Sequence, residues 1–297
     1  MRDYLVWDAM SMVDHKTYLD YPTDWTLEDN LAEANEFIQT ADLIILQDVF
    51  LDVEGLDIKK YANHRNTIIN GTGSAMRRMI QHLQCAQQEG WAIVPCLADE
   101  TLSMKLCSPP FENWIVPVER ILELSKGIEK PNDIVSVCHA PTALGIKGTK
   151  RIEEILKPMI ESGQIKYERI TKLSWEEAIK AKAKHHIILD SFGTLTSTYG
   201  AGNALEGLVL GQTVISKISP WAYCLHPDLP MTTTWYEDEE RMINLVVRAI
   251  SDNLGDETVH KKRDELKLDW VTKHFSAETQ ITKWEHYINW VQTRKMT

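Results

Sequence analysis

The sequence lacks the features that would place it in a membrane, in a disulfide framework or on zinc. No run of 18 apolar residues occurs, so no membrane-spanning helix is expected. The N-terminus "MRDYLVWDAMSMVDHK" has acids among its apolar positions and lacks the continuous apolar core of a signal peptide, so none is expected in it. Five cysteines, Cys85, Cys96, Cys107, Cys138 and Cys224, form no CxxC pair. An odd, scattered set predicts reduced, buried thiols and a cytoplasmic protein. No histidine–cysteine spacing points to zinc. His185 and His186 are neighbours, and neighbours on a strand face opposite sides of the sheet, so no metal ligands are assigned. Repeats and low-complexity tracts are also absent.

Positive charge is scarce where the chain begins. Residues 1–60 carry 4 basic and 14 acidic side chains, and the whole chain has a net charge of −11. Such a front half repels polyanions within about a Debye length. Residues 145–184 reverse the balance, with 10 basic against 6 acidic side chains. A local basic stretch can hold a small anion, or it can be a solvated face.

What is present is alternation. Apolar runs such as "DLIILQDV", "NTIINGTGS" and "WAIVPCLA" predict strands, and continuous apolar runs suit a parallel sheet covered on both sides. "DYLVWDAM" and "NWIVPV" are read as further strands, and "LEDNLAEANEFIQTA" and "AMRRMIQHLQCAQQEG" as helices. The polar stretch "ELSKGIEKPND" is the expected linker. The pattern then restarts with the strands "IVSVCHAP", "IKYERIT", "HHIILDSF" and "TVIS". Between them lie the helices "GTKRIEEILKPMIESGQ", "SWEEAIKAKAK" and "GNALEGLVLGQ", and "EDEERMINLVVRAISDN" follows. Ser174 and Glu177 have the spacing of a capping box. Two α/β layers with mostly parallel sheets are expected, over residues 1–125 and 126–277. A closing helix at 278–297 carries Ile281, Trp284, Ile288 and Val291 on one stripe.

In open α/β sheets, ligands bind beyond the carboxyl ends of the strands. The stretch "LDSFGTLTSTYGAGN" leaves such an end. Gly200 and Gly202 let the backbone approach a ligand, and a helix starting near Asn203 aims free N–H groups at the same point. Glu206, one turn on, can accept two hydrogen bonds from a ribose diol. Lys147 can set a point charge on a diphosphate. The bland reading is a tight turn and nothing more. His139 ends a buried strand, where it can face a sugar or sit as a satisfied structural histidine. Trp221 and Trp235 fall near the same edge.

These segments resemble glycosyltransferase family 4. "HAPTALGIKGTKRIEEIL" is similar to the family's "HaPs…KGt…i" segment. "LSWEEAIKAKAKHHIILDSFGTLTSTYGAGNALEGLVLGQTVIS" is similar to "s…ea…aDi.iDq…yG..alEamalGkpVi". "NTIINGTGSAMRR" resembles the "hGs..R" turn, and "TLSMKLCSPPFENWIVPVE" resembles "Tpdll….a.wiPnpvd". The likeness spans roughly residues 65–217.

The resemblance implies a GT-B fold, two Rossmann-like domains facing across a cleft, with the first domain reduced. It implies transfer of a sugar from a nucleotide-diphosphate donor, a UDP-sugar foremost, with retention and with no cofactor or metal. On that basis Glu206 matches the ribose clamp and Lys147 the diphosphate cation. Gly200, Gly202, Asn203 and Ala204 match the helix start at the phosphates. Thr171, Lys172 and Leu173 match the loop framing the base. Thr142 falls in the loop leading to the lysine, and Gly73, Ser74 and Arg77 match the first-domain turn. His139 joins Lys147 and Glu206 as a candidate catalytic group.

The sequence departs from the family in three places. Thr198 stands where many relatives have a second glutamate. No arginine precedes Lys147, and the glycine-rich opening loop is missing. The acceptor is not named, whether glycan, small molecule or modified DNA base. Inversion would need a base such as Asp8, Asp14, His15 or Asp48, and spacing singles out none of them. Three other readings remain: a phage-type transferase acting on modified DNA, a different GT-B enzyme such as an epimerase, and a non-catalytic nucleotide-sugar binder.

Overall fold

The computed structural model describes residues 7–8, 25–26, 31–47, 55–71, 80–95, 115–141, 143–193, 202–218, 221–234, 239–253 and 257–294. The chain divides into two compact units. One comprises Met1–Asn113 with Thr282–Thr297, and the other Trp114–Ile281.

In the first unit, the opening strand is reduced among the described residues to a two-residue parallel pairing. It joins β1 (Trp7–Asp8) to β2 (Trp25–Thr26). The main sheet is parallel, with β3 (Ile44–Gln47), β4 (Thr67–Gly71) and β5 (Ala92–Pro95) in the order β3-β4-β5. On one face Ile44, Leu46, Ile69 and Ile93 pack with Ile58, Leu83 and Ala86 from the helices. On the other, Ile68, Ala92 and Val94 meet Tyr287 and Val291 of the helix Ala277–Thr293. The Tyr287 hydroxyl donates to the Ile93 carbonyl at 3.1 Å. The Arg294 guanidinium donates to the His64 and Gly90 carbonyls at 2.7 and 2.6 Å. The buried stripe of this helix therefore runs through Tyr287 and Val291, with Trp284 and Ile288 partly buried beside them. Ile281 is 58% exposed and does not belong to it.

The second unit is built on a five-stranded parallel sheet. Its strands are β6 (Val135–His139), β7 (Ile165–Arg169), β8 (Ile187–Leu189), β9 (Thr213–Lys217) and β10 (Thr232–Thr234), in the order β10-β9-β8-β6-β7. The five residues of β6 are all buried, as a parallel strand covered on both faces requires. Ile152, Ile155, Leu156 and Met159 of the helix Thr149–Glu161 cover one face together with Val246 and Ala249. Each such aliphatic side chain contributes about 1.5–3 kcal/mol by leaving water. The helix Trp175–Lys182 opens on the capping box: the Ser174 hydroxyl accepts from the Glu177 backbone, and the Glu177 carboxylate accepts from the Ser174 N–H at 3.0 Å.

Two expectations fail here for local reasons. "NWIVPV" forms no strand among its described residues. Val116 N–H donates to the Phe275 carbonyl at 2.9 Å, and the helix Val118–Ser125 begins directly after Pro117. "ELSKGIEKPND" closes that helix and leads into β6 inside the second unit, because the division falls at Asn113 and Trp114. Of the cysteines, Cys138 is buried, and burial pushes its thiol up to about 12, whereas Cys85 and Cys224 are exposed. Cys96 and Cys107 lie outside the described residues.

Candidate donor-binding site

The chain places β7 on one side of β6 and then returns to place β8 on the other. The strand order thus reverses between β6 and β8, and open α/β sheets bind ligands at such a reversal, beyond the carboxyl ends of the strands. The residues that follow those two strands meet at this point. After β6, the one-turn helix Leu144–Lys147 ends in Gly148, whose φ of 69° lies in the left-handed region. After β8 come Asp190, Ser191, Phe192 and Gly193. Phe192 N–H donates to the Lys147 carbonyl at 3.0 Å. A Cβ on Gly193 would stand 1.8 Å from the Ile146 carbonyl oxygen, so only glycine allows this approach.

The approach sets Lys147 on Asp190. The ammonium donates to both carboxylate oxygens, at 2.9 and 3.1 Å. Asp190 is fully buried, and Lys147 keeps 14% of its side chain exposed. Asn203 Nδ2 donates to Asp190 Oδ1 at 3.0 Å, and the Ser216 hydroxyl donates to Oδ2 at 3.2 Å. A carboxylate has about four acceptor positions, and these three side chains occupy them.

Asn203 also faces the other way. Its Oδ1 accepts from Lys182 Nζ at 3.3 Å. Lys182 is buried and ion-pairs with Glu206 Oε2. Trp175 Nε1 donates to Glu206 Oε1 at 2.8 Å. A continuous polar chain therefore runs Lys147–Asp190–Asn203–Lys182–Glu206–Trp175 and alternates in charge. Each oxygen of Glu206 has taken one donor, so each retains an acceptor position on a side chain that is 14% exposed.

The helix Gly202–Val209 begins at the centre of this arrangement. Its first N–H groups have no partner within the helix, and the positive end of its dipole lies at the sheet edge. Gly202 and Ala204 are buried, so they meet an anion only through their backbone. Gly207 fits the helix against β8: a Cβ there would lie 2.7 Å from Ile188.

His139 sits beneath this edge and does not reach it. It is fully buried, with Nδ1 2.6 Å from the Leu189 carbonyl and Nε2 2.9 Å from the Thr149 hydroxyl. A carbonyl only accepts, so Nδ1 carries the proton and Nε2 accepts from Thr149. Burial lowers the imidazole below its usual value, and the Leu189 hydrogen bond opposes that shift in part. Both nitrogens are engaged in joining β6, β8 and the helix Thr149–Glu161.

The loop Thr171–Leu173 follows β7. Lys172 holds φ 60°, a left-handed value uncommon for a residue with a side chain. Leu173 beside it is 46% exposed, an apolar group left at the rim. Gly73, Ser74, Arg77, Thr142, Thr198, Gly200 and Trp235 lie outside the described residues, as do Asp14, His15 and Asp48. Sequence reading missed Asp190, Lys182 and Trp175. Asp190 alone had a visible signal, an acid directly after a buried strand.

No family model matches the sequence, and no curated protein matches it. The fold has relatives among solved structures. It is similar to a glycosyltransferase from Rickettsia africae ESF-5, with a TM-score of 0.58 and 13% identity over 91% of this chain and 86% of that one. It is also similar to an alpha-glucosyltransferase (AGT) in complex with UDP, with a TM-score of 0.52 and 10% identity over 88% of this chain and 84% of that one. At these identities the likeness is one of architecture. The mixed α/β units with parallel sheets are of the GT-B type found in glycosyltransferases.

Proposed function

We propose that this chain is a glycosyltransferase that takes its sugar from a nucleotide diphosphate, a UDP-sugar in the first instance. The observation that carries the reading is the placement of Lys147 and Glu206 on one sheet edge, at the strand-order reversal. They stand on either side of a helix N-terminus and are joined through Asp190, Asn203 and Lys182. Lys147 and the first N–H groups of the helix Gly202–Val209 take the diphosphate. Glu206 takes the ribose hydroxyls on its remaining acceptor positions. Leu173 and its loop face the base. UDP is tested first because a protein of similar fold is known with UDP bound.

The chemistry asked of the protein is electrostatic. As the sugar–phosphate bond breaks, negative charge grows on the leaving diphosphate. A preorganised ammonium and helix end stabilise that charge without reorganising. Transfer with retention and with no metal at the diphosphate fits this set, because the cation is already in place as Lys147. His139 receives no step; it holds the two central strands. The acceptor is sought among glycans, small molecules and modified DNA.

The test is thermal stability of the full chain against UDP, GDP, ADP, CDP and dTDP sugars. A ligand at 100 times its Kd adds about 2.7 kcal/mol. A shift with one nucleotide that disappears in Glu206→Ala supports the reading. No shift with any of them overturns it. Donor turnover without acceptor would instead indicate an epimerase. Binding without nucleotide release under any acceptor would indicate a non-catalytic binder.

A further inference from the structure

A second group of side chains, drawn from the connection after β9 and the end of a later helix, has no part in the proposed transfer. The helix Trp221–Leu225 ends in a turn that carries His226 and Asp228. The last turn of the helix Glu257–Phe275 brings His274 to the same place. One ligand-capable atom from each of His226, Asp228 and His274 lies within 4.8 Å of the other two. We infer that these three side chains form a binding site for one divalent transition-metal ion of the zinc class.

The donor set selects the ion. Two imidazoles and one carboxylate, with no thiolate, suit zinc and its first-row neighbours. Calcium and magnesium prefer oxygen ligands throughout. Metal–ligand bonds of about 2.0–2.2 Å place tetrahedral ligands roughly 3.5 Å apart. Closure from the present spacing needs a shift of roughly an ångström, which side-chain torsions supply.

The surroundings orient the donors. Trp270 Nε1 donates to Asp228 Oδ1 at 3.3 Å and so holds the carboxylate beside the two imidazoles. Such outer hydrogen bonds fix ligands in metal sites. The His226 ring stands nearly edge-on to that of His274, with centroids 4.4 Å apart, and edge-on to Trp270 at 5.3 Å. Phe275 closes the floor, and it and Trp270 are buried. His226 is buried while Asp228 is exposed, so the site opens to water on one side, where a solvent ligand completes the coordination. The bound ion ties the connection after β9 to the end of the helix Glu257–Phe275. The competing account is aromatic packing with a carboxylate–imidazolium contact, which takes up no metal.

The experiment uses the full chain, stripped with EDTA and dialysed, titrated with ZnCl2 by calorimetry and with Co2+ by visible absorption. One ion per chain is expected, with a Co2+ spectrum of low coordination number and a higher melting temperature. Asp228→Asn is exposed and should keep the fold; it is expected to weaken Zn2+ by at least about tenfold. His274→Gln is expected to remove the Co2+ spectrum. His286→Ala, an exposed histidine elsewhere, should change nothing. Failure of the wild type to take up stoichiometric Zn2+ overturns the site. So does wild-type affinity in Asp228→Asn, which decides the matter even if His274→Gln fails to fold.

Discussion

Lys147 and Asp190 are joined across the ends of two adjacent parallel strands, and the bond is asymmetric. Asp190 is fully buried and accepts from Lys147, Asn203 and Ser216, whereas Lys147 reaches solvent. The two partners should therefore not be equivalent under mutation. Asp190→Asn removes the charge that Lys147 faces and presents an amide N–H₂ to three donors. Breaking a buried pair from one side costs about 3–5 kcal/mol. Lys147→Met leaves the fully buried Asp190 carboxylate with no cation and should bear that full cost, whereas Asp190→Asn leaves a lysine that reaches solvent and should cost clearly less. Urea unfolding of both variants checks this; equal losses would contradict the geometry.

Lys147→Ala should lower sugar-transfer turnover by about 100- to 1000-fold, the range for losing one preorganised contact to developing charge. Glu206→Ala should act mainly on donor affinity, since a ribose contact is the same in ground and transition states. Steady-state kinetics with the donor identified by thermal shift separates kcat from KM. Wild-type values in both variants would end the proposed assignment.

Lys182 supports a third test, independent of function. It is buried and bonds both Glu206 and Asn203. Lys182→Met leaves Glu206 with only the Trp175 indole and should destabilise by about 3–5 kcal/mol. Adding Glu206→Gln removes the unpaired charge and should restore part of that loss. A double-mutant cycle on unfolding free energies gives the coupling, expected at about 0.5–3 kcal/mol. Strict additivity would mean that the pair does not form.

The parts of this arrangement that sequence reveals are the local ones. The run "IVSVCHAP" announces β6, and Ser174 with Glu177 announces a helix start. Lys147 and Glu206 stood out through their place beside a glycine-rich helix start, and their resemblance to known segments added to that. Asp190 and Lys182 lie 43 and 24 positions from the groups they bond, and no spacing rule spans such distances. The helix Glu257–Phe275 escaped because its buried residues, Trp270, Val271 and Phe275, crowd into the last turns. No stripe of period 3.6 runs along its length. His226, Asp228 and His274 were invisible for the same reason, since their meeting depends on that helix. "NWIVPV" misled in the opposite sense: its apolar run mimics a strand, while Pro117 starts a helix.

Gly193 gives a prediction about how the site is assembled. Its Cα faces the Ile146 carbonyl, and a methyl group there would overlap that oxygen. Gly193→Ala must push the segment Leu144–Gly148 away, and Lys147 with it. Overpacking of this kind costs about 1–3 kcal/mol. Donor affinity should fall even though the substituted residue makes no donor contact. Thermal shift with the donor checks this; unchanged affinity would mean that Lys147 need not be held where it is.

The last prediction concerns acid. His186 Nδ1 accepts from the Ser136 backbone N–H at 3.1 Å, which leaves no lone pair for a proton there. Burial, then the Lys130 ammonium and the His185 and His260 rings, lower its titration to about 4. Burial lowers His139 and His185 as well. In the unfolded chain these groups titrate near 6.5. Between about pH 6.5 and 4, then, the unfolded state binds more protons than the folded one. Stability must rise with pH across that window and fall as acid is added. Above about pH 7 the three rings are neutral in both states and contribute no slope. Urea unfolding at pH 7.5, 6 and 5 measures this, and His186→Gln should flatten part of the decline. A stability that stayed level from pH 7.5 to 5 in the wild type would show that the buried rings accept protons as readily as free ones do.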